Sequence, residues 1–277
     1  MSRKSVSGNC RICGKYQEKL SFEHVPPKSA FNKCPAVIKE LLELINTDPD
    51  DYFNTREKIY LCGFGAYTLC ERCNKKTGRW YGGNFADWAR QSMEILERTQ
   101  EASSIGYTFD IYPLRVIKQV ICMFFSTNGD RFGGNHPDLV KFVLNQRGCH
   151  LDPAIRIFAF FSASPLRRYV GGSVKKEIDP DEINRDTIDN FLGNIISDFE
   201  RSRVLSELAF PPIGYVMTFD SKPPPDNRLV DISHFAGYSY RDRKSIELRL
   251  PVLPVYTYFP GDYRDREQVR HDLESNT

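Results

Sequence analysis

The sequence has no long apolar run. The best stretch, Val116–Phe125, is interrupted by Lys118 and Gln119, whereas a membrane span needs roughly 20 consecutive apolar residues. No membrane partner is expected. The opening residues, Met1–Gly8, are polar and basic without an apolar stretch, so no secretory signal is expected and the cytoplasm is the expected compartment. There is no internal repeat, no low-complexity segment and no glycine-rich phosphate loop, Gly171-Gly172 reading as a turn. Nor is there an excess of charge of one sign: 38 Lys and Arg against 36 Asp and Glu leave +2. These absences exclude membrane-spanning, disordered and collagen-like classes, while the net charge by itself decides little. They leave an ordinary globular chain of 277 residues, 40% hydrophobic and 27% charged, enough for one large or two modest domains.

The charge is unevenly spread. Residues 1–38 hold seven basic and two acidic residues, and 54–98 hold eight and five. Between them, residues 39–53 hold one Lys and five acids. A locally basic surface suits phosphate contacts, although a solvated face has the same composition.

Cysteine placement says more. Of eight cysteines, four form two CxxC pairs, Cys10 with Cys13 and Cys70 with Cys73. In an apparently cytosolic chain this spacing predicts a tetrahedral zinc site of four thiolates, not a disulfide framework. The other four, Cys34, Cys62, Cys122 and Cys149, lie singly and are expected to be core thiols. The 56 residues between the knuckles exceed a simple zinc ribbon, so something is inserted. Lys19–His24 alternates polar and apolar residues as a short strand does, and Val25-Pro26-Pro27 ends it. Glu23 and His24 thus stand adjacent at a strand end. Tyr67–Cys70 is a second short strand, with Asn74–Gly78 as a helical turn just beyond.

Two CxxC knuckles around Glu23-His24-Val25-Pro26-Pro27 and Leu69-Cys70-Glu71-Arg72-Cys73-Asn74-Lys75-Lys76-Thr77-Gly78 resemble the HNH endonuclease family, whose ββα-metal finger is often stapled this way. The resemblance covers about residues 8–82. It implies a nuclease that hydrolyses phosphodiester bonds, of DNA above all, plausibly in bacterial restriction or anti-phage defence. By the resemblance His24 is the general base, with an unperturbed pKa near 6.5 suited to proton abstraction. Glu23 and Asn74 would be oxygen ligands of a catalytic Mg²⁺ or Mn²⁺. Cys10, Cys13, Cys70 and Cys73 would hold a structural zinc with no open position, and Lys75, Lys76 and Arg79 would contact the substrate's phosphates.

Two residues depart from the family pattern. Glu23 replaces the commoner Asp. The Asn that usually braces the histidine's loop is expected near Gly65, where the chain reads Gly63-Phe64-Gly65-Ala66-Tyr67, so another group must brace it. Neighbours on a regular strand also face opposite sides, so Glu23 and His24 converge only if the backbone twists. The competing class is a non-catalytic zinc module binding nucleic acid or protein, which would have no use for Glu23, His24 and Asn74 together.

The resemblance and the remaining pattern together imply an α+β chain: by the resemblance, an HNH finger domain over 1–105 with a helical insertion, and by the pattern beyond it an α+β accessory domain over 106–277. The insertion helix is Pro35–Asn46, from the stripe Val37, Ile38, Leu41, Leu42 and Ile45. An aromatic helix follows the finger to about Gln100, and Glu101–Gly106 reads as a polar joint. Trp80 and Trp88 are expected to pack rather than stack on bases. Helices are expected at Pro113–Ser126, Pro137–Asn145 and Asp181–Phe199. Strands are expected at Ile155–Ala163 and Gly214–Phe219, with strand-like runs at Ile232–Tyr240 and Ser245–Val255. His234 reads as a core histidine. The accessory part carries no legible chemistry; sensing a regulatory ligand, binding a protein partner and selecting DNA are the roles open to it.

Overall fold

The computed structural model describes residues 5–38, 58–99, 102–164, 166–176, 202–257 and 259–275. The chain is α+β. Two short strands, β1 (Gly8–Asn9) and β2 (Tyr16–Gln17), form a hairpin with the first knuckle at its tip. Strand β3 (Ser21–His24) pairs antiparallel with the later β6 (Gly65–Leu69). Between them, β4 (Ala36–Ile38) pairs with β5 (Lys58–Tyr60). The predicted insertion helix is therefore replaced by strand over its described part: Val37 lies opposite Ile59 and both are exposed. The rest of it lies outside the described residues.

After β6 the chain enters α1 (Glu71–Thr77), a π-helical turn at Gly78–Gly82, and α2 (Gly83–Arg98). The aromatic residues of this run face inward. Trp88 is fully buried and its Nε1 donates to the Tyr215 hydroxyl at 2.8 Å. Trp80 is half-buried, its carbonyl accepting from the Tyr240 hydroxyl. Both pack, as expected.

The rest is a mixed seven-stranded sheet in the order β7-β13-β8-β11-β10-β9, with β12 also on β8. Its strands are β7 (Ser104–Ile111), β8 (Arg156–Ser162), β9 (Arg168–Lys176), β10 (Ser202–Ala209), β11 (Ile213–Thr218), β12 (Val230–Asp231) and β13 (Lys244–Leu253). Strand β8 shows why the sheet is central. Ile157, Ala159 and Phe161 join the main core, while Phe158 and Phe160 join a second cluster with Leu205, Val216, Leu253 and Tyr263. A strand apolar on both faces needs cover on both faces.

On the main-core side lies α3 (Pro113–Thr127), in which every residue from Val116 to Ser126 is buried. A helix buried on all sides belongs at a molecule's centre. It even takes in Lys118, whose Nζ donates to the Asn145 carbonyl at 2.5 Å and sits 4.5 Å from the Phe142 ring. A short helix, α4 (Phe132–Asn135), then α5 (Pro137–Leu144), flank it, and α6 (Arg266–Ser275) ends the description. The core cluster is continuous across residue 105, running from Cys10 and Ile12 through Trp88 and α3 to Phe235 and Leu250.

Several local expectations are corrected. Ser104–Gly106, read as part of a joint, begins β7, whose inward residues Ile105, Phe109 and Ile111 alternate as in any half-buried strand. Gly171-Gly172 lies inside β9, and a Cβ on Gly171 would stand 2.6 Å from the Thr127 carbonyl oxygen. Glycine is there for the close approach of β9 to the end of α3. Ile232–Tyr240 is not strand: Asp231 Oδ1 accepts from the Ser233 N–H and starts a 3₁₀ turn, Ser233–Gly237. His234 on that turn is exposed, not core. Cys34, Cys62 and Cys149 are exposed, and only Cys122 of the single cysteines is a core thiol. The predicted helix Asp181–Phe199 lies outside the described residues.

Candidate functional site

The two knuckles meet. The Sγ atoms of Cys10, Cys13, Cys70 and Cys73 all lie within 4.8 Å of one another, and Cys13 and Cys70 are 3.9 Å apart. Zinc–sulfur bonds of about 2.3 Å in a tetrahedron put sulfurs just under 4 Å apart, so the set fits such an ion. Cys70 also caps α1, its sulfur accepting from the Cys73 N–H at 3.4 Å. The protonation pattern points the same way. Cys10 is held down to about 4 first by its hydrogen bond with Cys73, which is pushed far up by holding that proton. Burial raises Cys13. Four crowded thiols cannot all ionise unaided, and a dication held by them would displace the remaining protons.

The knuckle is bolted to the molecule's centre. Arg11, between the first pair of cysteines, donates through Nη1 to the carbonyls of Ser126 (2.6 Å) and Asn128 (2.7 Å) at the C-terminal end of α3. Those carbonyls lack helix partners, and a cation suits that end of the dipole.

Strand β3 carries the remaining candidates. Phe22 and His24 share one face, their rings 4.9 Å apart edge to face. Ser21 and Glu23 share the other, towards α1 and α3. Asn74 joins that second face: its Nδ2 donates to Ser21 Oγ (3.1 Å) and to the Phe22 carbonyl (3.2 Å), leaving Oδ1 without a partner among the described residues. Glu23 and Asn74 are thus brought to one side, while His24 leaves the strand on the other.

Their electrostatics differ accordingly. No donor or cation among the described residues reaches the Glu23 carboxylate, and burial pushes its pKa up to about 7. For His24, burial lowers the pKa below its ordinary value, a bond to the Cys62 main chain opposes that, and the charge of Lys28 lowers it further. The result is a neutral ring near neutral pH, held by one nitrogen.

The bracing group missed in the sequence is Asn32, fully buried. Its Nδ2 donates to the carbonyls of Pro26 and Phe64, each at 2.7 Å, and its Oδ1 accepts from the Phe64 N–H at 2.9 Å. Phe64 O in turn accepts from the Val25 N–H at 3.1 Å. One amide therefore ties the turn after His24 to the approach of β6. Gly63, at φ 91°, is what lets the chain pass: a Cβ there would stand 2.1 Å from the Asn32 carbonyl oxygen. The signal was present as a lone Asn after a Pro-Pro turn, but its partner is 32 residues away.

Lys75, Lys76 and Arg79 are all exposed on the helical run beyond the second knuckle. Lys75 pairs with Glu71, Lys76 lies 5.6 Å over the Trp80 ring, and Arg79 makes no ion pair among the described residues. Arg90 pairs with Asp87.

Among the described residues no helix is long and apolar enough to cross a membrane. Comparison of the chain with protein-family models, curated proteins and solved structures finds no match.

Proposed function

We propose that the protein is a zinc-stapled, divalent-metal-dependent nuclease of the HNH type that hydrolyses phosphodiester bonds of DNA. The observation that carries this is the pair on the α1 side of β3: a half-buried carboxylate, Glu23, on the face that Asn74 joins, neither the carboxylate nor Asn74 Oδ1 having a hydrogen-bond partner among the described residues. A carboxylate that burial holds towards its neutral form is costly in a merely structural module, and oxygen donors on one side of a strand suit a hard cation.

Glu23 and Asn74 would hold Mg²⁺ or Mn²⁺, which when bound supplies positive charge to the phosphate and the leaving oxygen. His24 accepts a proton from the attacking water. Its lowered pKa keeps the ring neutral, and the Cys62 main chain fixes its orientation. Asn32 holds the loop that positions it. Four thiolates would close the zinc site to substrate, so zinc has a scaffold role. The exposed cations Lys75, Lys76 and Arg79, with Lys28 near His24, would meet the DNA backbone. The role in restriction or phage defence rests on the family resemblance alone, as does a ligand or partner for the C-terminal sheet.

One observation favours a second reading, a zinc module that binds without cutting: Glu23 and His24 leave β3 on opposite faces. The two readings separate in a metal titration of two variants. Asn74→Ala removes one oxygen ligand, so raising Mg²⁺ or supplying Mn²⁺ should restore part of its plasmid cleavage. His24→Ala should lose about 10²–10⁴-fold in rate and respond to neither ion. Equal rescue of both variants, or a zinc-depleted His24→Ala protein, contradicts the assigned roles.

A further inference from the structure

Strand β9 belongs to the sheet, yet one of its faces touches the loop that holds His24. Alternation along a strand sends neighbours to opposite sides, and here both sides are occupied. Arg168 points into the second core, where Nε and Nη2 donate to Glu207 Oε1 at 2.9 and 2.7 Å. Tyr169, and Arg167 just before the strand begins, make their contacts on the finger side. Arg167 Nη1 donates to Asn32 Oδ1 at 3.4 Å. The Tyr169 ring lies on Phe64, centroids 4.3 Å apart and planes 33° from parallel. Two residues further on, Gly171 packs against the Thr127 main chain, which fixes how closely β9 lies on α3.

Asn32 is the amide that ties Pro26 to Phe64, and Phe64 is the residue whose carbonyl holds Val25, next to His24. Both members of that tie are therefore held from the sheet, one by a guanidinium and one by a ring. Arg167 also carries a positive charge to the carbonyl oxygen of an amide whose two N–H groups are already committed. A charged donor on Oδ1 polarises the amide and strengthens the bonds its Nδ2 makes.

We propose that Arg167 is a positioning residue of the site: held by the sheet, it fastens Asn32 and with it the turn that carries His24. The proposal rests on the nuclease reading for its consequence, but not for its geometry. The finger is then incomplete without the sheet, and the C-terminal part acts on cleavage through one strand.

The test uses the full-length, zinc-loaded chain and the variants Arg167→Ala and Arg167→Lys. Hydrogen exchange is read at the Phe64 and Val25 amides, with the Cys10 and Asn74 amides as internal controls, alongside the turnover number and KM for plasmid nicking. Arg167→Ala should speed exchange at Phe64 and Val25 by about tenfold, the size expected for losing a charge-assisted bond, while the controls and zinc content stay unchanged. Turnover should fall by a similar factor at unchanged KM, and Arg167→Lys should restore most of both. Unchanged exchange at Phe64 and Val25 overturns the proposal whatever the activity does. A raised KM with unchanged exchange also overturns it, since Arg167 then acts on substrate directly. If Arg167→Ala loses its zinc, Arg167→Lys decides: wild-type exchange at Phe64 and Val25 supports the proposal, and exchange as fast as in a denatured control overturns it. A wild-type chain that does not nick DNA removes the nuclease reading, while the exchange result still decides the clasp.

Discussion

Replacing Glu23 by Gln should make the zinc-loaded protein, without Mg²⁺ or Mn²⁺, more stable at pH 8. The carboxylate is pushed from 4.5 to about 7 by burial, with no hydrogen bond or cation among the described residues to offset it. A folded-state pKa above the unfolded value means the native state holds the proton more tightly. Ionisation therefore destabilises the fold, from nothing below about pH 4.5 to the full amount above about pH 7. At about 1.4 kcal/mol for each pH unit, the ceiling is about 3 kcal/mol. Glutamine keeps the shape and removes the charge, but its own amide also goes unpaired, so a net gain of about 1–3 kcal/mol is expected. For a chain of this size that is a rise in Tm of roughly 3–9 °C. The assay is calorimetry of both proteins at pH 8 and pH 4.5, with zinc present and with or without added Mg²⁺. The gain should disappear at pH 4.5, where the wild-type carboxyl is already protonated. Mg²⁺ should raise the Tm of wild type but not of Glu23→Gln, because ligand binding to the native state alone is what shifts it. A Glu23→Gln protein less stable than wild type at pH 8, or one that gains as much at pH 4.5, refutes this reasoning.

Two further outcomes concern the scaffold. Cys70→Ser keeps an oxygen able to cap α1 but not a fourth thiolate, so metal analysis should find little or no stoichiometric zinc and residues 8–82 should lose their fold; full zinc content at an unchanged Tm contradicts the site. Burial lowers Lys118 from 10.5 to about 8, so its stability contribution is present above the unfolded value and is lost as pH falls through about 8. Urea unfolding of wild type against Lys118→Met should show wild type gaining with pH between about 8 and 10, and parallel pH profiles count against the burial of that charge.

The sequence makes some of this molecule legible because short-range rules govern it. Two-residue spacers place thiolates on tight turns, and the apolar residues of Pro113–Ser126 mark a buried helix, though not that its burial extends all round to Lys118 and Gln119. Alternation in Ser21–His24 marks a strand, and the Pro-Pro after it marks the end. What escaped the reading depends on distant partners. Asn32 looks like any loop asparagine until Phe64 is folded against it. Gly171-Gly172 looks like a turn, yet the first glycine is there because β9 lies on the end of α3, more than forty residues earlier in the chain. Ser104–Ile111 does carry a period-two pattern, but its polar outward residues resemble a joint when read alone. Ile232–Tyr240 has strand-forming residues and loses to a side-chain bond, Asp231 to Ser233, that starts a 3₁₀ turn. The candidate site divides the same way: residue types and knuckle spacing are local, whereas the opposed faces of Glu23 and His24 follow from the pairing of β3 with β6.

The central claim is that His24 acts on a proton during metal-dependent cleavage of DNA. The most direct measurement is nicking of supercoiled plasmid by the purified full-length chain, with Mg²⁺, without it, and with His24→Ala in its place. The account predicts cleavage only with Mg²⁺, a His24→Ala rate lower by about 10²–10⁴-fold, and wild-type zinc content and Tm in the variant, because His24 is not among the clustered thiols. Equal cleavage by wild type and His24→Ala, or no cleavage by wild type with either Mg²⁺ or Mn²⁺, would contradict it.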